Sequence, residues 1–123
     1  MNILIVTSRQ TDWEEFANTL VDGGEISVDW EGAGDSAINL AAKTKFSLVI
    51  VDEKLTDMTG LDMVRKLLQV NAMVDIVLAS PLSSDEFHEV TEGLGLLGQL
   101  STAPGKDDAL KLIELIKASP WIS

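Results

Sequence analysis

The segment Leu48-Val49-Ile50-Val51-Asp52-Glu53-Lys54-Leu55-Thr56-Asp57-Met58-Thr59-Gly60-Leu61 decides how this chain is read. It opens on an unbroken aliphatic run, led in by Phe46-Ser47, in which Val49, Ile50 and Val51 are β-branched. Such a run describes a strand covered on both faces, the condition met in parallel sheets flanked by helices. A carboxylate follows at once, then a polar turn. From Gly60 to Val70 the residues Leu61, Val64, Leu67 and Leu68 recur at helical spacing. The unit is a strand, an acid, a turn and a helix.

The same alternation continues in both directions. Upstream, Ile3-Leu4-Ile5-Val6 is a second fully apolar strand. Thr11-Asp12-Trp13-Glu14 has the form of a capping box, with Trp13, Phe16, Ala17 and Leu20 following at helical spacing. Asp22-Gly23-Gly24 stops that helix, and Ile26-Ser27-Val28-Asp29-Trp30 alternates like a strand less covered on one face. After the turn Glu31-Gly32-Ala33-Gly34, Asp35 is expected to cap a helix through Ala42. Downstream, Ile76-Val77-Leu78-Ala79 is a fourth strand, and Ser83 or Ser84 caps a helix carrying Phe87, Val90 and Leu94 that ends near Gly95. A weak fifth strand spans Leu96 to Leu100. Asp107-Asp108 opens a last helix with Leu110, Ile113 and Ile116 inward and Lys117 at its negative end.

Strands alternating with helices of this length make βαβ units, and hence a parallel sheet with right-handed crossovers. The expected fold class is α/β, a flavodoxin-like doubly wound five-stranded parallel sheet with five helices. Residues 1–118 form one domain, and 119–123 a short tail that frays unless Trp121 docks. In such sheets ligands sit beyond the carboxyl ends of the strands. Those ends carry Thr7-Ser8-Arg9, Asp52-Glu53-Lys54, Ser80-Pro81 and Ser101-Thr102.

Composition narrows the function. The chain has 123 residues, 46% of them hydrophobic, enough for one domain with a real core. No apolar run approaches the ~20 residues needed to span a bilayer, so no membrane role is expected. Twenty acids against nine bases give a formal charge of −11, which repels nucleic-acid phosphates and anionic lipid. The partner is therefore expected to be a protein, not a nucleic acid. Without cysteine, disulfides and thiolate metal sites are excluded, and a cytoplasmic setting is expected.

The segment from Leu48 to Leu61 resembles the phosphoacceptor segment of response-regulator receiver domains. In that family an apolar strand ends in the acceptor Asp, and a Met-Asp-Gly-Leu-like turn opens the third helix. Asp52 falls on the acceptor position and Gly60 on the family's glycine. The resemblance covers nearly the whole chain in element order and length, including the gap between the ends of strands one and three. It implies a signal-transduction module that works by protein contact, commonly through the fourth helix, fifth strand and fifth helix.

Departures from the family pattern matter as much. The acidic pair that binds Mg²⁺ after strand one is replaced by Thr7 and Ser8. Since Mg²⁺ is normally anchored by one or two carboxylates with waters and phosphate oxygens, this set predicts weak or no Mg²⁺ binding, with no cofactor and no metal. The family's lysine after strand five aligns with Thr102, followed by Ala103-Pro104 in place of Lys-Pro. Its Ser/Thr switch survives as Ser80, and its aromatic switch becomes Gln99. Phosphoryl transfer to Asp52 needs neutralisation of three equatorial oxygens, mostly by metal and lysine, and both suppliers are missing. A degenerate pseudo-receiver, not an enzyme, is the reading the resemblance supports. The alternative is a true phosphoacceptor, Asp52, serving a histidine kinase or phosphorelay partner. An acceptor-site carboxylate left without metal needs a cation. Lys54, two residues on, is the first candidate, and Arg9 on the neighbouring loop the second.

Other chemistry is weaker. The hydroxyl-rich Thr7-Ser8-Arg9-Gln10-Thr11 loop resembles a flavodoxin phosphate loop, but it lacks glycine and the chain has no Tyr. Aspartate-based phosphatases use Asp-x-Asp, whereas Lys54 stands two residues after Asp52. Asp57 reads as a turn or helix-capping group. The sole histidine, His88, reads as a solvent-facing residue of the fourth helix, and Gly93-Leu94-Gly95 as a helix stop. The acids Asp85, Glu86, Glu89 and Glu92 crowd the fourth helix, either as a solvated face or as an acidic docking surface.

Overall fold

The computed structural model describes residues 1–119, so the expectation for Trp121 lies outside the described residues. The elements are β1 (Asn2–Val6), a 3-10 turn (Gln10–Trp13), α1 (Glu14–Val21), β2 (Ser27–Glu31), α2 (Gly34–Lys43), β3 (Leu48–Val51), α3 (Gly60–Val70), β4 (Ile76–Ala79), α4 (Ser84–Val90), β5 (Gly98–Leu100) and α5 (Lys106–Lys117). All strand pairs are parallel, in the order β2-β1-β3-β4-β5. The fold is the expected doubly wound five-stranded sheet with five helices. Strand order reverses between β1 and β3, where Val6 lies opposite Val51. That crevice is where this architecture places ligands.

The apolar runs explain the layering. Every residue of β3 and β4 is buried, as is Ile3 through Val6 of β1. Alternate side chains feed two separate cores. Ile3, Ile5, Leu48 and Ile50 pack with Trp13, Phe16 and Leu20 from the α1 side and with Ala109, Leu112 and Ile116 of α5. Leu4, Val6, Val49 and Val51 pack with Ala37 and Ala41 of α2, Met63, Val64 and Leu67 of α3, and Phe87 of α4. By the same period of two, Asp52, next after Val51, belongs to the α1/α5 side of the sheet. Strand β2 lies at the edge and is only half-covered, in keeping with its alternation.

Local details correct several expectations. Thr11 does not cap α1: the chain makes a 3-10 turn over Gln10–Trp13 first, and the N-cap position of α1 is Trp13, with no side-chain cap bond. Burial of Trp13, edge-on to Phe16 with ring centroids 5.8 Å apart, overrides the capping pattern. Asp35 does not cap α2 either. The N-terminal amides of Gly34 and Asp35 are taken by the carboxylate of Asp57, at 2.7 and 3.0 Å, so the cap arrives from the β3–α3 loop. Thr59 caps α3 through Asp62 N, and Ser83, not Ser84, caps α4 through Glu86 N. Helix α5 buries Ile116 and packs Ile113 against the core as expected, but Ala109 and Leu112 join them and Leu110 is 45% exposed. Its N-terminus starts one residue earlier, with the Asp108 carboxylate accepting from Gly105 N. On α3, Met63 takes an inward position that the leucine spacing did not assign.

Gly60 is dictated by space. A Cβ there would lie 2.1 Å from the carbonyl oxygen of Asp52, so the helix can start against the strand end only without a side chain. Its amide donates to Glu53 O at 2.8 Å, closing the loop that follows Asp52.

Candidate functional site

Asp52 is fully buried at the carboxyl end of β3, and its backbone amide continues the sheet by donating to Val6 O. A buried carboxylate is costly unless its oxygens are satisfied. Here each oxygen receives two bonds. Oδ2 accepts from the Thr7 hydroxyl at 2.7 Å and from Arg9 Nε at 3.1 Å. Oδ1 accepts from Arg9 Nη2 at 3.0 Å and from the Glu53 amide at 2.8 Å. Arg9 thus meets the carboxylate with two nitrogens, the fork geometry that a lysine cannot make.

Three loops converge on this fork. Thr7 and Arg9 come from the β1–α1 connection and Asp52 from the end of β3. The β5–α5 connection contributes the carbonyl of Thr102, which accepts from Arg9 Nη2 at 2.7 Å. Thr7 also accepts from the Arg9 backbone amide at 3.0 Å, which fixes the direction in which Arg9 leaves the strand. The Arg9 side chain remains 40% exposed and lies 3.8 Å from Asp12. Its pKa is raised further, first by the hydrogen bonds to Asp52, against a partial burial that acts in the opposite direction, and then by the charges of Asp52, Asp12 and Glu53.

The residues singled out by sequence divide clearly. Asp52, Thr7, Arg9 and Thr102 meet, Thr102 through its carbonyl and not its side chain. Ser8 is exposed and outside the cluster. Lys54, the first candidate for charge compensation, is exposed and makes a backbone bridge with Thr59. No ion pair joins it to Asp52, so Arg9 replaces it in that role. The physical reason is the turn: the bridge commits Lys54 to the β3–α3 loop, while Asp52 faces the β1–α1 and β5–α5 loops. His88 is exposed on α4, as expected.

Ser80 and Gln99, which align with the family's switch positions, lie together. Ser80 Oγ accepts from Leu82 N at 3.2 Å, and Gln99 Nε2 donates to the carbonyls of Ser80 and Leu82 at 3.1 and 2.8 Å. Sequence reasoning saw in Gln99 only a missing ring. Its two amide hydrogens facing a Pro-containing loop were the available signal. On α4, Glu86 is engaged with the Ser83 hydroxyl at 2.9 Å, so this acid belongs to the helix cap. Asp57 is held below the usual carboxylate range by the amides of Asp35 and Gly34, with Lys66 adding a smaller effect. Among the described residues no group of three or more His, Cys, Asp or Glu is placed to hold a metal ion, and no helix is long and apolar enough to cross a membrane.

No protein-family model matches the chain, and no curated protein matches it in sequence. Solved structures do. The chemotaxis response regulator CheY4 of Vibrio cholerae is 23% identical, with a TM-score of 0.79 over 92% of this chain and 95% of its own. A two-component response regulator from Clostridium difficile is 18% identical, with a TM-score of 0.77 over 95% and 96%. A LuxR-family response regulator from Aurantimonas sp. SI85-9A1 is 19% identical, with a TM-score of 0.79 over 95% and 84%. At these identities the likeness is one of fold. Element order, sheet order and near-complete coverage agree: the chain has the fold of a CheY-like response-regulator receiver domain.

Proposed function

We propose that this chain is a receiver-fold signalling module that acts by binding a protein partner in a single, phosphate-independent conformation, without catalysis of its own. One observation carries the reading. Both oxygens of Asp52 are saturated by internal donors, with the Arg9 fork on the side open to the β1–α1 and β5–α5 loops. An in-line attack on a phosphodonor needs a free carboxylate oxygen and compensating charge around the transferred group. The fork consumes the first and stands where the second would act.

The same donor set does not suit Mg²⁺. Thr7 spends its hydroxyl hydrogen on Asp52, Ser8 is exposed and outside the cluster, and one carboxylate bound to arginine supplies too little free negative charge. Mg²⁺ binding is accordingly weak or absent in this proposal. The partner is a protein, in keeping with the net charge of −11, which opposes nucleic acid. The α4, β5 and α5 face is the candidate surface, and the cysteine-free sequence suits a reducing cytoplasm.

Mass spectrometry after incubation with acetyl phosphate and Mg²⁺ tests this directly. The expected result is the unmodified mass. A phosphoryl adduct that disappears in Asp52→Asn would overturn the proposal and establish the phosphoacceptor alternative.

A further inference from the structure

The connection from β4 to α4 runs Ser80-Pro81-Leu82-Ser83, and several of its polar groups have partners that can be named. Ser80 N donates to Leu100 O of β5 at 3.0 Å. Pro81 has no N–H. Leu82 N donates to Ser80 Oγ, so the hydroxyl closes a short turn within the loop. Ser83 starts the helix by accepting from Glu86 N. The Ser83 carbonyl accepts from Phe87 N, and the carbonyls of Ser80 and Leu82 are both taken by the same atom, Gln99 Nε2. A primary amide nitrogen carries two hydrogens, so one side chain serves both acceptors.

From these contacts we infer that Gln99 is a positioning residue that fastens the β4–α4 connection to the edge strand and thereby sets the pose of α4. The device works in register. Gln99 lies opposite Leu78 of β4, and its neighbour Leu100 accepts the Ser80 amide, so the side chain and the backbone of β5 grip the loop from adjacent positions. Substituting an aliphatic residue leaves two carbonyls to water. A carboxylate places a third acceptor against them, and no donor remains. The inference deepens the proposed single conformation and rests on that reading for its meaning, but not for its geometry.

Amide hydrogen exchange of the full chain, followed by NMR in the unmodified protein, Gln99→Ala and Gln99→Glu, is the test. In Gln99→Ala the protection of Leu82, Glu86 and Phe87 should fall roughly fivefold or more, as for loss of two modest net hydrogen bonds. The amides of Arg9 and Asp52 should keep theirs. Gln99→Glu should lose more than the alanine variant at neutral pH. It should recover part of the loss below pH ~4, where the acid form regains a donor. The charged groups near Gln99 are His88, Glu89 and Glu92 across the α4 groove and Asp108 and Lys111 on α5. They are common to both variants, so only the difference between the variants reports on position 99.

Unchanged protection at Leu82 in both variants would overturn the inference, as would alanine and glutamate losses that are equal at every pH. An Asp52 phosphoryl adduct accompanied by these losses would remove the proposed function and leave the Gln99 clamp standing. The two failures are therefore distinguishable.

Discussion

Replacing Arg9 with methionine removes the fork from Asp52 while keeping an aliphatic stem of similar reach. The consequence for stability lies between two known limits. Exposed ion pairs contribute ~0–1 kcal/mol, whereas breaking a fully buried pair costs ~3–5 kcal/mol by stranding a charge. Here the partners differ, for the Asp52 side chain is 1% exposed and that of Arg9 40%. Water can reach the guanidinium face once it is vacated, and each Asp52 oxygen keeps one donor, from Thr7 or from Glu53. About 2 kcal/mol is therefore expected for Arg9→Met, or a Tm lower by ~8 °C in a domain of this size. Urea unfolding at pH 7 of Arg9→Met, Asp52→Asn and the double variant should give a coupling energy of about 1.5–2 kcal/mol. The parallel cycle with Lys54→Met should give none. A coupling for Arg9 within ~0.5 kcal/mol of zero, or a Lys54 coupling of equal size, would refute the assignment of Arg9 as the structural counter-charge.

Three further outcomes follow from particular contacts. The Asp57 carboxylate, with its folded pKa held below the unfolded value of 3.8, adds stability that is fully present above that value and lost as pH falls through the lower folded one. The Tm gap between the unmodified protein and Asp57→Ala should therefore be constant through the neutral range and close in acid; an undiminished gap at pH ~2 would contradict the cap. Gly60→Ala forces a Cβ to 2.1 Å from Asp52 O and should cost about 3 kcal/mol or more in urea unfolding, so a loss under ~1 kcal/mol would mean the strand–helix approach is looser than described. Thr7→Asp with Ser8→Asp should create Mg²⁺ binding measurable by calorimetry only when Arg9→Met is added, because the fork otherwise holds the Asp52 oxygens; binding in the pair of substitutions alone would show that Arg9 yields readily.

Most of the architecture was legible because it rests on period and length. Runs such as Ile3–Val6 and Val49–Val51 leave little choice but buried parallel strands, and α3 was legible from the helical spacing of Leu61, Val64, Leu67 and Leu68, although its Thr59 cap was not. What failed did so for nameable reasons. The cap of α2 comes from Asp57, 23 residues from Gly34, and no local pattern can announce a donor–acceptor pair made by tertiary packing. On α5 the sequence placed Ile113 and Ile116 correctly but favoured Leu110, whereas Ala109, small and unassuming in a hydrophobicity count, is the buried residue of that turn. At the site, sequence located Asp52 and its altered neighbours but ranked Lys54 above Arg9 on proximity along the chain. The period of two, carried one residue past Val51, turns Asp52 toward the β1–α1 loop. That step needed only the strand, and it would have favoured Arg9.

A counter-charge carried by the chain differs in kind from one that arrives. A divalent ion or a phosphoryl group can bias a two-state element only because it is sometimes absent, and its leverage equals its differential affinity for the two states. Arg9 is always present, tethered on the same strand end as Thr7 and tied at once to β3 and to the β5–α5 loop. If its fork is worth about 2 kcal/mol, any ligand that needs the Asp52 oxygens starts with a ~30-fold disadvantage before its own charge is neutralised. In the β4–α4 connection, meanwhile, the carbonyls of Ser80 and Leu82 and the amide of Leu82 are engaged locally by Gln99 and Ser80. Two independent fastenings, one joining β1, β3 and the β5–α5 loop and one joining β5 to the β4–α4 connection, thus favour one arrangement of the loops. On the proposed function, control then falls to the abundance of the chain and of its protein partner and to the affinity of the proposed face of α4, β5 and α5. The affinity of that face should then be the same for Asp52→Asn as for the unmodified chain wherever the Gln99 contacts are kept.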